Sequence, residues 1–187
     1  MTREELEHAI RAACDIAGDD AVYVFGSQAI LGQFPDAPPE LRQSMEVDVA
    51  PKTRPEMADH IDGSIGELSP FHREFGFYVH GLSIEAATLP PGWQDRVIPV
   101  GDEATTVGSI GLCLEAHDLA ASKLAAFRDK DRDFVRVLLT ERLVDRAVLV
   151  ERIRLLNIPD DERERRVQWV ELTTKGRRPR RRRSSSR

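Results

Sequence analysis

Two short stretches of the sequence carry the residue types that bind a metal ion and a phosphate. In residues 45–49 (MEVDV), two carboxylates stand at alternate positions of a predicted β-strand. Because successive strand side chains point to opposite faces, Glu46 and Asp48 share one face, about 6–7 Å apart at the backbone. Residues 22–27 (VYVFGS) predict a buried strand that ends in a Gly-Ser turn at the start of a helix, where free N–H groups and the helix dipole favour an anion. A phosphate-binding turn beside a carboxylate pair is what metal-assisted phosphoryl or nucleotidyl transfer requires.

Each stretch also has a simpler interpretation. A Gly-Ser pair after an apolar run is most often only a turn, and a Glu-Val-Asp-Val run is most often a half-buried strand with a solvated acidic face. The two stretches in this order, around one predicted helix, are a much less common combination than either alone. The combination therefore favours a functional site.

The Gly-Ser turn followed by an acid-x-acid strand resembles the signature of the DNA polymerase beta-like nucleotidyltransferase superfamily. Within it, the sequence is similar to small bacterial nucleotidyltransferases related to the toxins of toxin–antitoxin and abortive-infection systems. The resemblance covers roughly residues 20–140 and is carried by Gly26–Ile30, Ser44–Asp48, Leu89–Trp93 and Asp118–Leu124.

Two features depart from the superfamily pattern. The separation of Ser27 from Glu46 is longer than usual, and Glu46 stands where Asp is more common. Residues 33–39 are rich in proline and cannot continue a helix, so an inserted loop explains the longer separation. Glutamate remains a good magnesium ligand.

The resemblance implies a reaction and the residues that perform it. Gly26 and Ser27 would bind the triphosphate of an NTP, while Glu46 and Asp48 would hold one or two Mg²⁺ ions. An NMP would pass to an acceptor hydroxyl as pyrophosphate leaves. The implied acceptor is RNA, especially tRNA, and the implied biology is a toxin balanced by an antitoxin partner.

Glu85 is a third metal ligand that the resemblance implies, since superfamily members commonly bring a third acid from a neighbouring strand. It lies in residues 82–86, which predict a short strand. An ordinary surface glutamate on that strand is an equally good interpretation, because alternation places such residues outside.

The helix predicted after Glu115 carries two charged residues on an apolar stripe. Its inward line follows steps of three and four through Ala116, Ala120, Lys123, Phe127, Asp131, Phe134 and Leu138. Charged side chains are rarely buried without a partner, so one interpretation is a cleft in which Lys123 reaches a phosphate and Asp131 steadies it. The resemblance also places the lysine at the nucleotide. The alternative is that residues 128–130 interrupt the helix and leave both side chains in solvent.

The histidines and the tryptophan loop receive structural interpretations. None of His60, His72, His80 and His117 has a helical metal-ligand spacing with a third ligand nearby. Trp93, in a stiff Pro-Pro-Gly loop, is suited to stacking on a base, but a tryptophan that covers the edge of the core is the favoured interpretation.

The pattern of elements predicts an α+β fold, a mixed β-sheet flanked by helices and followed by a C-terminal helical portion. We expect one domain over residues 1–174, with the sheet in about 1–115 and the helical part in about 116–174, and then a disordered Arg-rich tail over 175–187. The predicted helices span 3–17, 27–32, 55–67 and, with a break at 158–160, 116–174; the predicted strands span 21–25, 45–49, 75–80, 82–86, 97–100 and 110–114.

Charge is divided unevenly along the chain. Eight of the 27 lysine and arginine residues fall at or after Lys175, where none of the 32 acidic residues lies, so residues 1–174 carry a net charge of −13. The acidic body argues against broad binding of a nucleic-acid backbone by the folded part. The tail suits non-specific binding of nucleic acid, or contact with the acidic body itself.

Composition also indicates the compartment. Cys14 and Cys113 define no disulfide framework and lie in apolar surroundings, which predicts buried free thiols. The first residues are acidic and no apolar run reaches membrane-spanning length, so we expect a cytoplasmic protein with no membrane partner. A rival hypothesis stays open, a catalytically silent nucleotidyltransferase-like protein that binds or regulates; Glu46 and the acidic body favour it.

Overall fold

The computed structural model describes residues 1–175 of the 187-residue chain. Of the Arg-rich tail predicted for 175–187, all but Lys175, the last residue of the final helix, lies outside the described residues. The helices are α1 (Arg3–Ala17), α2 (Ile30–Gln33), α3 (Ala58–Ile65), α4 (Pro70–Phe75), α5 (Ala116–Ala126), α6 (Asp129–Thr140), α7 (Arg146–Arg154) and α8 (Asp160–Lys175). The strands are β1 (Ala21–Val24), β2 (Glu46–Pro51), β3 (Tyr78–Gly81), β4 (Ile98–Val100) and β5 (Ile110–Cys113).

The five strands form one mixed sheet in the order β3-β2-β1-β5-β4. Strand β1 is antiparallel to β2 and parallel to β5, and β2 is parallel to β3. In the β2–β3 pair, Asp48 stands opposite His80. Helices flank the sheet and form the C-terminal part, so the predicted α+β class is confirmed.

Alternation along the central strands separates a core face from a polar face. Val47 and Val49 of β2 are fully buried, whereas Glu46 and Asp48 between them are only partly buried. Helices α1 and α3 cover the core face so closely that a Cβ at Gly111 would overlap Ile10 and one at Gly81 would overlap the Ala58 carbonyl. The polar side chains therefore project from the opposite face of the sheet.

One segment predicted as a strand begins later than expected, and another is not a strand. Residues 70–75, which overlap the predicted strand 75–80, form α4, and β3 begins only at Tyr78. Ser69 caps this helix and Pro70 occupies its first turn, a start signal that outweighs the alternating pattern. Residues 82–86 are also not a strand, because the Ser83 hydroxyl accepts the Glu85 N–H and turns the chain into a 3₁₀ turn, Ile84–Ala86.

The C-terminal helical part has two breaks beyond the predicted one near 158–160. Helix α5 ends at Phe127, whose φ of +56° is left-handed, and α6 begins two residues later. The second break separates α6 from α7, which Asp145 caps. Likewise, the helix predicted for 55–67 is a 3₁₀ turn, Pro55–Met57, followed by α3.

Both cysteines are buried free thiols, as the composition predicts. Burial raises the pKa of Cys14 to about 11 and that of Cys113 to about 12. Each sulfur is therefore protonated at neutral pH and packs as a small apolar group. Among residues 1–175, no helix combines the length and the apolar character needed to cross a lipid bilayer.

Candidate active site

The Gly-Ser turn connects β1 to a very short helical segment. Ser27–Ala29 form a 3₁₀ turn and α2 adds only four residues, so the helix predicted for 27–32 is too short to supply a substantial dipole. The turn is fixed to β2, because Phe25 N–H donates to the Asp48 carbonyl at 3.2 Å. Gln28, fully buried, donates to the Ser44 carbonyl at 3.0 Å. Ser27 is thus presented by the local fold rather than by a long helix.

Gly26 stands directly against the carboxylate of Asp48. A Cβ built at Gly26 would overlap Asp48 Oδ2 and would lie 2.7 Å from Asp48 Cγ. The backbone φ of Gly26 is −80°, which any residue adopts, so the requirement for glycine is space rather than conformation. The turn and the acid-x-acid strand therefore meet at one point, as their order in the sequence predicts.

Glu46 and Asp48 share their face of the sheet with His80 of the neighbouring strand. His80 Nδ1 lies 3.0 Å from Glu46 Oε1 and 3.3 Å from Asp48 Oδ1. One donor atom from each of the three residues lies within 4.8 Å of the others. Sequence patterns alone assign His80 a structural role and miss this position. The alternation Tyr78-Val79-His80 places the ring on the polar face, but the pairing of β3 with β2 has no local sequence signal.

The environment of Asp48 disfavours its negative charge. Burial, and after it the charge of Glu46, raises the pKa of the Asp48 carboxyl, whereas His80 and Lys123 oppose the rise. Two carboxylates and an imidazole at one point are donors that divalent cations accept, and a cation there would offset the repulsion between Glu46 and Asp48. The donor set therefore fits a divalent metal.

Lys123 and Asp131 enter the same cleft from two different helices. Lys123 Nζ donates to Ser27 Oγ at 2.9 Å and lies 3.7 Å from Asp131 Oδ1. The two side chains are 13% and 1% exposed. The helix breaks at Phe127 and Arg128, slightly before the predicted interruption, yet neither side chain is solvated, because α6 folds back beside α5. Arg128 Nε lies 2.6 Å from the second carboxylate oxygen of Asp131. Asp131 is therefore paired with both Arg128 and Lys123 and holds the Lys123 ammonium in position.

Burial lowers the pKa of the Lys123 ammonium, and the carboxylates of Asp131 and Asp48 partly offset this effect. The lysine also lies over the Phe134 ring, 4.8 Å from its centroid. A cation that is partly stripped of water in this way gains from an incoming anion. Lys123 is therefore suited to meet a phosphate group beside Ser27.

A cleft of about 940 Å³ opens over these residues. Its walls are the Gly-Ser turn, the polar face of β2 and β3, residues 82–88 after β3, and the facing sides of α5 and α6. The volume is in the range of small-molecule and cofactor sites. It joins all the predicted site residues except Glu85.

Glu85 lies on the 3₁₀ turn Ile84–Ala86 and is exposed. Its neighbours Ala86 and Ala87 line the cleft, while the third donor beside Glu46 and Asp48 is His80. Glu85 therefore lies outside the cluster that Glu46, Asp48 and His80 form.

Trp93 and His117 have the structural surroundings that their sequence context favours. The Trp93 ring is half-buried against the core and packs edge-on against Tyr23 of the central strand β1, with centroids 4.9 Å apart. His117 Nδ1 lies 2.6 Å from Glu115 Oε1, and its Nε2 accepts the Asp145 N–H at 2.8 Å. Both ring nitrogens of His117 are thus used within the fold.

If the cleft performs the nucleotidyl transfer that the resemblance implies, replacing Gly26 by Ala should lower its rate at least about tenfold, because the new methyl group must displace the Asp48 carboxylate. Steady-state transfer rates and thermal unfolding measure the effect. Gly63→Ala is the matched control, since a Cβ there meets nothing within 4 Å, and it should gain roughly 0.5–1 kcal/mol of stability with unchanged activity. Equal rates for Gly26→Ala and the wild type would show that the contact with Asp48 is unimportant.

Comparison with known proteins gives one finding about the family. No curated protein and no solved structure matches the chain. The family described as "Nucleotidyltransferase of unknown function (DUF6036)" matches residues 4–177, which is nearly the whole chain. This match agrees with the nucleotidyltransferase resemblance of the turn and the acidic strand, and the chain belongs to this nucleotidyltransferase family.

Proposed function

We propose that the protein is a divalent-metal-dependent nucleotidyltransferase that transfers an NMP from an NTP to an acceptor hydroxyl. The observation that carries the proposal is the convergence of three elements in one cleft. Ser27 of the turn, the carboxylates of β2 and the ammonium of Lys123 lie side by side, although 96 residues separate Ser27 from Lys123. Membership of a nucleotidyltransferase family supports the same reaction class.

Glu46 and Asp48 are the residues that would hold one or two Mg²⁺ ions. When bound, such ions act as Lewis acids that activate the acceptor hydroxyl and stabilise the charge of the departing pyrophosphate. Asp48 is the better-buried carboxylate of the pair and lies against Gly26 of the turn. It would therefore contact the metal ion next to the residues that would bind the triphosphate.

Ser27 and Lys123 would bind the triphosphate. The Ser27 hydroxyl already accepts a hydrogen bond from Lys123, so both groups face the same small volume. Asp131 keeps the lysine extended towards that volume through its own contact with the ammonium. Apolar side chains at the cleft walls, Leu82 and Phe134 among them, would exclude water from the reacting groups.

The direct test is incubation of the purified protein with labelled NTPs, Mg²⁺ and total tRNA. We expect label transfer that stops when the divalent cation is chelated and returns when it is restored. The contradicting result is a folded protein that transfers no label to RNA, protein or small acceptors, which would identify it as a catalytically silent binding or regulatory protein.

The acceptor and the biology are finer parts of the proposal. Similarity in sequence to toxin-related nucleotidyltransferases supports RNA, and tRNA first, as the acceptor, with an antitoxin protein as partner. Controlled expression should then arrest growth for the wild type and not for an Asp48 variant, and labelled tRNA should accumulate only in the arrested cells. Growth arrest by both proteins would separate any toxicity from nucleotidyl transfer.

A further inference from the structure

His80 occupies a position that distinguishes this centre from a purely acidic one. Because β3 runs parallel to β2 with His80 opposite Asp48, the imidazole projects from the same face as the two carboxylates. Its Nδ1 atom points between them, at 3.0 Å from Glu46 and 3.3 Å from Asp48. The third donor in the cluster is therefore a nitrogen atom.

We propose that His80 is the third protein ligand of the metal centre, and that this nitrogen shifts the preference of the site from Mg²⁺ towards Mn²⁺. The inference rests on the proposed function only for the presence of a cation between Glu46 and Asp48. Mg²⁺ is bound almost entirely by oxygen, whereas the divalent transition metals, of which Mn²⁺ is the weakest binder, gain more from a nitrogen donor than Mg²⁺ does. An O,O,N donor set therefore favours Mn²⁺ more strongly than three carboxylates would.

A different role for His80 makes the opposite prediction. If the ring only bridges the carboxylates as a counter-charge, a cation must displace it before binding. Removing the ring would then free Glu46 and Asp48 and tighten metal binding. If the ring is a ligand, removing it weakens binding. The sign of the change in affinity separates the two roles.

The test uses the full chain with MnCl₂ or MgCl₂ alone, without nucleotide or acceptor. Free Mn²⁺ is followed by electron paramagnetic resonance, Mg²⁺ is measured by competition, and pulsed spectra report whether nitrogen is bound directly to Mn²⁺. We expect nitrogen modulation in the wild type. In His80→Ala we expect Mn²⁺ affinity to fall at least about tenfold, since loss of even an outer-shell partner of a metal ligand costs about 10–100-fold. His60→Ala, which removes an exposed histidine of α3, is the matched control and should equal the wild type.

His80→Asp keeps the inference testable if the alanine variant folds poorly. It supplies a third carboxylate, so we expect Mn²⁺ binding without nitrogen modulation and a Kd ratio, Mg²⁺ over Mn²⁺, at least about tenfold lower than in the wild type. The inference is overturned if the wild type binds no Mn²⁺ or gives Mn²⁺ spectra without nitrogen. It is equally overturned if His80→Ala binds Mn²⁺ more tightly, or if the Kd ratio of His80→Asp equals that of the wild type. If the protein transfers label but the bound Mn²⁺ shows no nitrogen ligand, the proposed function stands and only the inference about His80 fails. If the bound Mn²⁺ shows a nitrogen ligand but no label is transferred, only the proposed function fails.

Discussion

Asp48→Asn is expected to reduce nucleotidyl transfer on the order of 10³-fold, equivalent to about 4 kcal/mol of transition-state stabilisation. Asn has nearly the shape of Asp and keeps the contact with Gly26, but it lacks the charge that a divalent cation requires. Transfer of labelled NMP under single-turnover conditions measures the loss.

The same substitution is expected to leave the free energy of unfolding unchanged or to raise it. The folded-state pKa of Asp48 is raised, so the folded protein binds this proton more tightly than the unfolded chain does. Stability therefore falls as pH rises from the unfolded pKa to the folded pKa, and the cost of the charge is fully present above that window. Asn removes this cost at neutral pH.

Thermal unfolding at pH 7 and in mild acid gives the check on Asp48→Asn. The advantage of the variant over the wild type should shrink as the pH falls through the window. Asp59→Asn, an exposed position on α3, is the matched control for both activity and stability. A variant that transfers NMP at the wild-type rate would remove Asp48 from the reaction, whatever its stability.

Lys123→Met is expected to weaken NTP binding on the order of 10²-fold, because it removes the buried cation beside Ser27. The apolar stem of the side chain is kept, so packing against Phe134 is largely preserved. Binding of a non-hydrolysable NTP, measured by calorimetry, reports the effect without depending on turnover.

The stability of Lys123→Met should change little, by less than about 4 °C in Tm, the scale of roughly 1 kcal/mol. Burial already lowers the pKa of Lys123, so the charged form adds little to folding, and Asp131 keeps its 2.6 Å pairing with Arg128. Lys52→Met, at an exposed position, is the control. A large fall in Tm with unaltered NTP affinity would instead identify Lys123 as half of a structural ion pair.

The turn and the acidic strand could be predicted because their signals are local. Alternation along residues 45–49 assigns Glu46 and Asp48 to one face, and the glycine before Ser27 marks the end of β1. Local sequence does not show why residue 26 must be glycine. The reason is the close approach of the Asp48 side chain, 22 residues later in the chain, which leaves no room for a Cβ atom. Space between two elements is a tertiary property.

For Lys123 and Asp131, the sequence allows either one continuous helix with both side chains in a cleft or a broken helix with both in solvent. Each alternative is only partly correct. A continuous stripe requires one helix, but Phe127 adopts a left-handed conformation and ends α5. A break at this point predicts that both charges are exposed. They remain buried because α6 packs back onto α5 and the two side chains then meet at 3.7 Å. Helical periodicity stops at the break, and only tertiary packing determines how the next helix is placed.

The third donor could not be predicted, because its identity depends on strand register. Glu85 belongs to a segment whose pattern predicts a strand, and a serine side chain turns that segment instead. His80 lies five residues earlier, on the strand that does form. Only the parallel pairing of β3 with β2 brings it opposite Asp48.

The parallel pairing of β2 with β3 also determines when the proposed metal site can be complete. Parallel neighbours cannot be joined by a tight hairpin, and here the connection runs through α3 and α4 before β3 reaches its place. A nascent chain that stops short of β3 has two acidic side chains but lacks His80, so the proposed centre is incomplete until β3 has joined the sheet. A bound ion would then hold the crossover closed, and its affinity would contribute to the stability of the whole sheet rather than to one loop.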